Sequence, residues 1–253
     1  MNLQGMAAVV TGGASGLGAA TAAALAEAGA KVAVVDINAA QADAAAKRLG
    51  GLGISSDVAD PEAAERAFAL ARAAHGPVRV LVNCAGVGTP GRIVGREGPL
   101  GLAAYEKVIR VNLIGTFNML RLAAAEMSTL DPLEDGERGV IINTASVAAY
   151  DGQIGQAAYA SSKAGVVGLT LPAARELARF GVRVVTIAPG LFFTPMMQAL
   201  PQEIQTSLGE SVPFPQRLGQ PGEYAALAMH IVANRMLNGE TIRLDGALRM
   251  APR

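Results

Sequence analysis

The chain has 253 residues, 51% of them apolar and 17% charged, with lysine plus arginine equal to aspartate plus glutamate at 21 each. That composition suffices for a large core, and the balanced charge gives no general attraction to nucleic acid or to an anionic membrane. The apolar runs are interrupted by glycine, proline or charge before the roughly 18 residues a membrane span needs. The N-terminus MNLQGMAAVVTGG has neither a basic signal region nor an arginine-rich presequence, so the expected location is cytoplasmic. Cys84 is the only cysteine, which excludes an intrachain disulfide, and His75 and His230 stand alone in helix-like segments, so no metal site is expected.

In chain order, 6-MAAVVTG reads as a first strand that breaks into 11-TGGASGLG-18 and passes directly into the helical 17-LGAATAAALAEAG-29. Gly12, Gly16 and Gly18, with Ser15 and Leu17 between them, allow a tight turn and let a pyrophosphate approach the free N–H groups of a helix N-terminus. A glycine-rich turn alone is weak evidence; its position between strand and helix gives it weight. The second strand, 31-KVAVVD, ends at Asp36, where a carboxylate can accept both hydroxyls of an adenosine ribose and repel a 2′-phosphate. NAD is therefore expected over NADP, and Ile37 supplies no cation that would reverse the preference. A shorter strand near 52-LGISSD leads to Asp57 and Val58, placed to meet an adenine, and Asp60-Pro61 opens the next helix. The strand 79-RVLVNCAG brings Asn83, Ala85 and Gly86 to the same crevice, along the cofactor, with Asn83 expected to fix loops by hydrogen bonds.

Residues 87 to 101, rich in glycine and proline, read as an insertion loop carrying Arg92 and Arg96, and a long helix is expected over about 102 to 127. After the acidic loop 130-LDPLEDGER come the strand 139-GVIINTAS and a helix over 157 to 180 that Pro172 is expected to kink. The strands 182-VRVVTIAPG and 240-ETIRLDG complete the pattern. Strands alternating with helices indicate an α/β chain: one domain over 1–253, a doubly wound (Rossmann) parallel sheet of about seven strands with helices on both faces.

One stretch raises a chemical question. In 146-SVAAYDGQIGQAAYASSK-163, Tyr159 stands one helical turn before Lys163, in a chain with four tyrosines and no tryptophan. Residues i and i+4 share a helix face, so the Lys163 ammonium can lower the phenol's pKa and make Tyr159 a usable general acid or base. Many solvent-facing helices carry such a pair without chemical purpose, so the rest of the chain has to decide.

Taken together, TGGASGLG, NCAG, 111-VNLIGTFN-118, Ser146 thirteen positions before Tyr159, YASSK and Pro189-Gly190 resemble the short-chain dehydrogenase/reductase family, from about residue 5 to the C-terminus. The resemblance implies Tyr159 as acid/base and Lys163 as the residue that orients the nicotinamide ribose and lowers the tyrosine pKa. It further implies Ser146 as the group polarising the substrate oxygen, and Asn112 as the residue holding a helix carbonyl that binds a relay water. Pro189, Gly190, Leu191 and Thr194 would lie along the cofactor. Within the family, the segments 139–163, 186–197, 211–219 and 238–250 resemble members that interconvert 3-hydroxyacyl-CoA and 3-oxoacyl-CoA with NAD as homotetramers. That implies an acyl-CoA substrate, with Gln153, Gln156 and Phe192 as candidate substrate contacts and Arg92 and Arg96 as candidates for the nucleotide phosphates. A steroid dehydrogenase or a 3-oxoacyl-carrier-protein reductase is the alternative on the same machinery. A noncatalytic, RNA-associated scaffold is disfavoured by the balanced charge and the intact Asn-Ser-Tyr-Lys set.

Overall fold

The computed structural model describes residues 1–252. Short runs of Val, Ile and Ala form seven parallel strands: β1 (Ala7–Thr11), β2 (Lys31–Asp36), β3 (Leu52–Ser55), β4 (Val78–Asn83), β7 (Gly139–Thr144), β8 (Val182–Pro189) and β9 (Thr241–Leu244). Their order in the sheet is β3-β2-β1-β4-β7-β8-β9, so the chain winds outward from β1 in one direction and then from β4 in the other. Among the described residues, β5 (Val94–Gly95) and β6 (Gly98–Pro99) form a small antiparallel hairpin inside the glycine-rich insertion loop.

Strands buried on both faces need helices above and below, and alternate residues of each strand separate accordingly. Val10, Val34, Val82, Ile142 and Val185 face α1 (Gly16–Glu27), α2 (Ala39–Leu49) and α9 (Pro221–Ala233). Val9, Val35, Leu81, Ile141 and Val184 face α3 (Pro61–His75), α5 (Gly115–Ser128) and α6 (Ala157–Leu177). Local chemistry fixes the helix ends. Asp60 accepts a hydrogen bond from Ala63 N–H at 2.7 Å with Pro61 behind it, Asn38 does the same for Gln41, and Gly50 ends α2 in the left-handed region at φ 64°.

One detail differs from the sequence reading. The expected helix over 102 to 127 is α4 (Leu102–Ile109) and α5 joined by a π-helical turn, Arg110–Ile114, in which Gly115 N–H reaches back to the Arg110 carbonyl. The stretch Leu102–Ser128 is long and apolar enough to cross a membrane, but half of an apolar 18-residue segment within it is buried, and Met119, Ala123 and Met127 lie within the core against α3 and the sheet. The second helix, α6, runs through Pro172 without a break, as the sequence reading expects. Pro172 and Gly168, whose carbonyl loses its i+4 donor, both lie on the exposed face, where water can serve that carbonyl. Past α8 (Gln202–Glu210), which follows the short α7 (Pro195–Gln198), α9 returns the chain to the sheet.

Candidate active site

The winding reverses between β1 and β4, which opens a crevice at the carboxyl ends of the strands. The glycine turn lies there. Gly12 has φ +59°, and a Cβ on it would come 2.8 Å from the Ala85 nitrogen. A Cβ on Gly18 would press into the Gly12 carbonyl, so only glycine lets α1 start this close to β1. Ser15 caps α1 with its hydroxyl unengaged, Leu17 packs on the core beneath, and the first turn of α1 contains no acidic residue. The free N–H groups at that terminus can therefore receive an anion. Asp36 lies alongside: its Oδ2 accepts from Ala14 N–H at 3.3 Å and its Oδ1 from Asn38 N–H at 3.1 Å, which fixes the carboxylate at the edge of the turn. These features fit the adenosine and pyrophosphate halves of a dinucleotide.

Beyond β3 and β4 the assignments divide. The Asp57 carboxylate holds its own turn by accepting from Ala59 N–H at 2.9 Å, and the Val58 side chain is buried against Gly115. Adenine contact from this pair would thus come from the main chain. Asn83 does not line the crevice. It is 4% exposed, and its Nδ2 donates to Asn143 Oδ1 at 3.0 Å while its Oδ1 accepts from Thr11 Oγ1 at 3.4 Å, because the ladder sets it directly opposite Asn143. It stitches β1, β4 and β7 below the crevice floor. Ala85 N–H donates to Thr11 Oγ1 at 3.2 Å, and a Cβ on Gly86 would stand 3.5 Å from Lys163 Nζ.

Ser146, Tyr159, Lys163 and Asn112 converge at the end of β7. Ser146 is buried and its Oγ accepts from Ala148 N–H at 3.1 Å, closing the turn Val147–Ala149. Lys163, 4% exposed, donates from Nζ to the Thr144 carbonyl at 2.7 Å and lies 5.8 Å from the Tyr159 ring centroid. Burial lowers the Lys163 ammonium from 10.5 to about 8, with Cys84 opposing. Burial also pushes the Tyr159 phenol above its ordinary value, with Ser146 pulling it down. This corrects the expectation that Lys163 draws Tyr159 toward neutrality. The ammonium is held on Thr144, and loss of water around the ring outweighs the polar neighbours. A protonated phenol beside a serine hydroxyl can donate to a substrate oxygen.

Asn112 has no exposure and lies in the π-helical turn, a feature frequent at functional sites. Its Oδ1 accepts from Val87 N–H at 2.8 Å, and its Nδ2 donates to the Val87 carbonyl at 2.9 Å and to Ser162 Oγ at 3.0 Å. The side chain therefore fixes the start of the 87–101 loop against α6. Ser162, which sequence reading passed over, is the joint, its Oγ in turn donating to the Tyr159 carbonyl at 2.7 Å.

After β8, the Pro189-Gly190-Leu191 turn runs beneath Asp245, whose Cβ would meet a Cβ on Gly190 at 2.9 Å, and Thr194 packs on Gly16. Phe192 does not line the same cleft as Gln153 and Gln156 and faces a separate pocket with Leu191, Val212 and Gly246. It is 7% exposed and lies in the core with Tyr224 and Ala228, its ring stacked over Gly219. Gln153 and Gln156 line a cleft together with Arg92, Ile93, Val94 and Ile154, closed on one side by Ala157 and Ala160 of α6, the helix that carries Tyr159. Their amides bind each other at 3.2 Å, and Gln153 Nε2 also donates to the Ala251 carbonyl at 3.0 Å. The tail thus ties down the wall of the cleft, helped by Arg243, which donates to Asp151 at 2.6 Å and to Asp245 at 2.7 Å. No sequence pattern marks Arg243, since its partners come from two separate loops.

This fold and this site define a dinucleotide-binding oxidoreductase. The family model described as short chain dehydrogenase matches residues 6–205, and the chain belongs to that family. It is 50% identical to 3-hydroxyacyl-CoA dehydrogenase type-2 of Homo sapiens, over 99% of this chain and 98% of that protein. To the Drosophila melanogaster protein of the same name it is also 50% identical, over 96% and 97%. A crystal structure of 3-hydroxyacyl-CoA dehydrogenase type-2 from Mycobacterium avium superposes with a TM-score of 0.94 at 43% identity, covering 98% of both chains.

Proposed function

We propose that this protein interconverts 3-hydroxyacyl-CoA and 3-oxoacyl-CoA thioesters with NAD as the redox partner. The observation that carries the reading is the convergence of Ser146, Tyr159 and Lys163 at the end of the crevice that Asp36 and the glycine turn begin. Asp36 supports NAD over NADP through charge and its two acceptor oxygens. The names and high identity of the relatives support the acyl-CoA substrate.

NAD, when bound, supplies the hydride acceptor or donor. The remaining chemistry belongs to the chain. Ser146 donates a hydrogen bond to the substrate oxygen, and Tyr159 moves the proton between that oxygen and its phenol. Because burial favours the neutral phenol, Tyr159 is set as the acid for reducing a 3-oxo group. In the oxidising direction the Lys163 ammonium is the positive charge the chain offers to the phenolate. Exposed Ile93, Val94 and Ile154 surround the cleft and suit an acyl chain.

A homotetramer is part of the same proposal. Ile114, Phe117 and Leu171 leave apolar surface exposed on the π-turn, α5 and α6, and Phe214 and Met236 do so near the C-terminal strand. Sedimentation as a monomer at micromolar concentration would count against it.

The deciding assay is oxidation of NADH by acetoacetyl-CoA, run in parallel with NADPH. Turnover with NADH and little with NADPH is the expected result. NADH binding without turnover of this thioester would move the substrate to a steroid or another carbonyl compound.

A further inference from the structure

The ladder between β4 and β7 ends at the pair Asn83 and Asn143, and the residues immediately beyond it, Cys84 and Thr144, flank the Lys163 pocket. Side chains hold these strand ends. Thr144 Oγ1 donates to the Asn83 carbonyl at 2.6 Å and lies 2.7 Å from the Tyr224 hydroxyl, while Cys84 Sγ lies 3.8 Å from that hydroxyl. A threonine has one hydroxyl hydrogen, and here the Asn83 carbonyl takes it. The Tyr224 O–H therefore donates to Thr144 Oγ1, and the Cys84 thiol donates to Tyr224. Tyr224 reaches this point from α9 with no exposure. A phenylalanine would fill that volume without a polar atom to satisfy, so the hydroxyl needs its own account. The main-chain carbonyl of the same Thr144 receives Lys163 Nζ at 2.7 Å.

We propose that Tyr224 is a positioning residue for the reaction: its hydroxyl clamps the ends of β4 and β7 so that the Thr144 carbonyl holds Lys163 in register with Tyr159. The proposal rests on the Tyr-Lys chemistry above. The groups around the ammonium are Tyr159 on its own helix, Cys84 on the β4 side, Asn112 from the π-helical turn, and Tyr224 behind Thr144. Tyr224 thereby links a helix on the opposite face of the sheet to the reacting groups.

The test is Tyr224→Phe in the full-length protein with NADH and acetoacetyl-CoA, with turnover normalised to sites that bind NADH. Turnover should fall about tenfold, the size expected from a small misplacement of a reacting group. The pH profile of kcat should shift, because the environment of Lys163 has changed. Thr144→Val should lose as much, Thr144→Ser should retain most of the activity, and combining Thr144→Val with Tyr224→Phe should cost nothing further. In a Lys163→Met background, Tyr224→Phe should leave the residual turnover unchanged. Wild-type turnover and pH profile with only a lower urea midpoint would reduce Tyr224 to a packing residue and overturn the proposal. An equal loss in the Lys163→Met background would overturn it as well. Should Tyr224→Phe fail to fold, the contrast between Thr144→Val and Thr144→Ser decides the question. Full activity in Lys163→Met alone would instead sink the Tyr-Lys reading beneath it.

Discussion

Lys163→Met should leave only a small residual activity and, at neutral pH, leave the ligand-free protein at least as stable as before. Burial moves the ammonium from 10.5 to about 8. At about 1.4 kcal/mol for each tenfold change in acidity, keeping it charged at pH 7 costs about 3 kcal/mol of folding stability. Methionine matches the stem and carries no charge, but it orphans the Thr144 carbonyl, a loss of about 1–3 kcal/mol. The net change at pH 7 is thus small or stabilising. The pH dependence separates the two contributions, because the carbonyl contribution does not titrate. Between pH 8 and 10.5 the unfolded lysine holds its proton and the folded one has released it, so wild-type stability rises with pH across this window. The stability of Lys163→Met relative to wild type should therefore fall by about 3 kcal/mol from pH 7 to pH 10.5, read from urea midpoints in the absence of NADH. A difference that stays constant over that range would refute the argument that burial of a charged Lys163 is a stability cost.

Three further outcomes follow from the geometry. Tyr159→Phe should lower kcat by about a thousandfold, as loss of a general acid does, with NADH fluorescence still reporting binding; a loss under tenfold would remove Tyr159 from the proton path. Asp36→Ala removes two acceptor oxygens and a negative charge from the ribose edge, so kcat/KM with NADH should drop about ten- to a hundredfold while NADPH improves; an unchanged ratio of the two would reject the ribose assignment. Glu137→Ala strands the buried Arg183 guanidinium, now paired at 2.8 Å, and should cost about 3–5 kcal/mol by chemical denaturation, whereas a cost below about 1 would show the pair to be dispensable.

Much of this molecule is visible in its local sequence. The middle residues of runs such as KVAVVD and GVIINT are buried on both faces and so are apolar, and Asp60-Pro61 caps a helix with adjacent atoms; such signals act over a few residues and need no tertiary context. The glycine turn is legible for the same reason, since its constraint is the meeting of Gly18 with Gly12, six positions away. The Ser146, Tyr159, Lys163 spacing is similarly local, and one strand end and one helix bring the three together.

What the fold alone decided lies between distant segments. Phe192 and Phe193 are equivalent in sequence, yet Phe192 enters the core under α9 while Phe193 is 37% exposed, because Gly219 leaves space for only one ring. Asn83 looks like a crevice residue until the parallel ladder sets it against Asn143, 60 positions away. The sign of the Tyr159 shift depends on burial by the assembled chain, and Lys163 turns to Thr144 because β7 ends there. Tyr224 is one tyrosine in an unremarked helix until α9 packs on the sheet and its hydroxyl meets a threonine 80 residues earlier. Periodicity and spacing report forces along the chain; a buried hydrogen bond between strand ends exists only once the sheet has chosen its order.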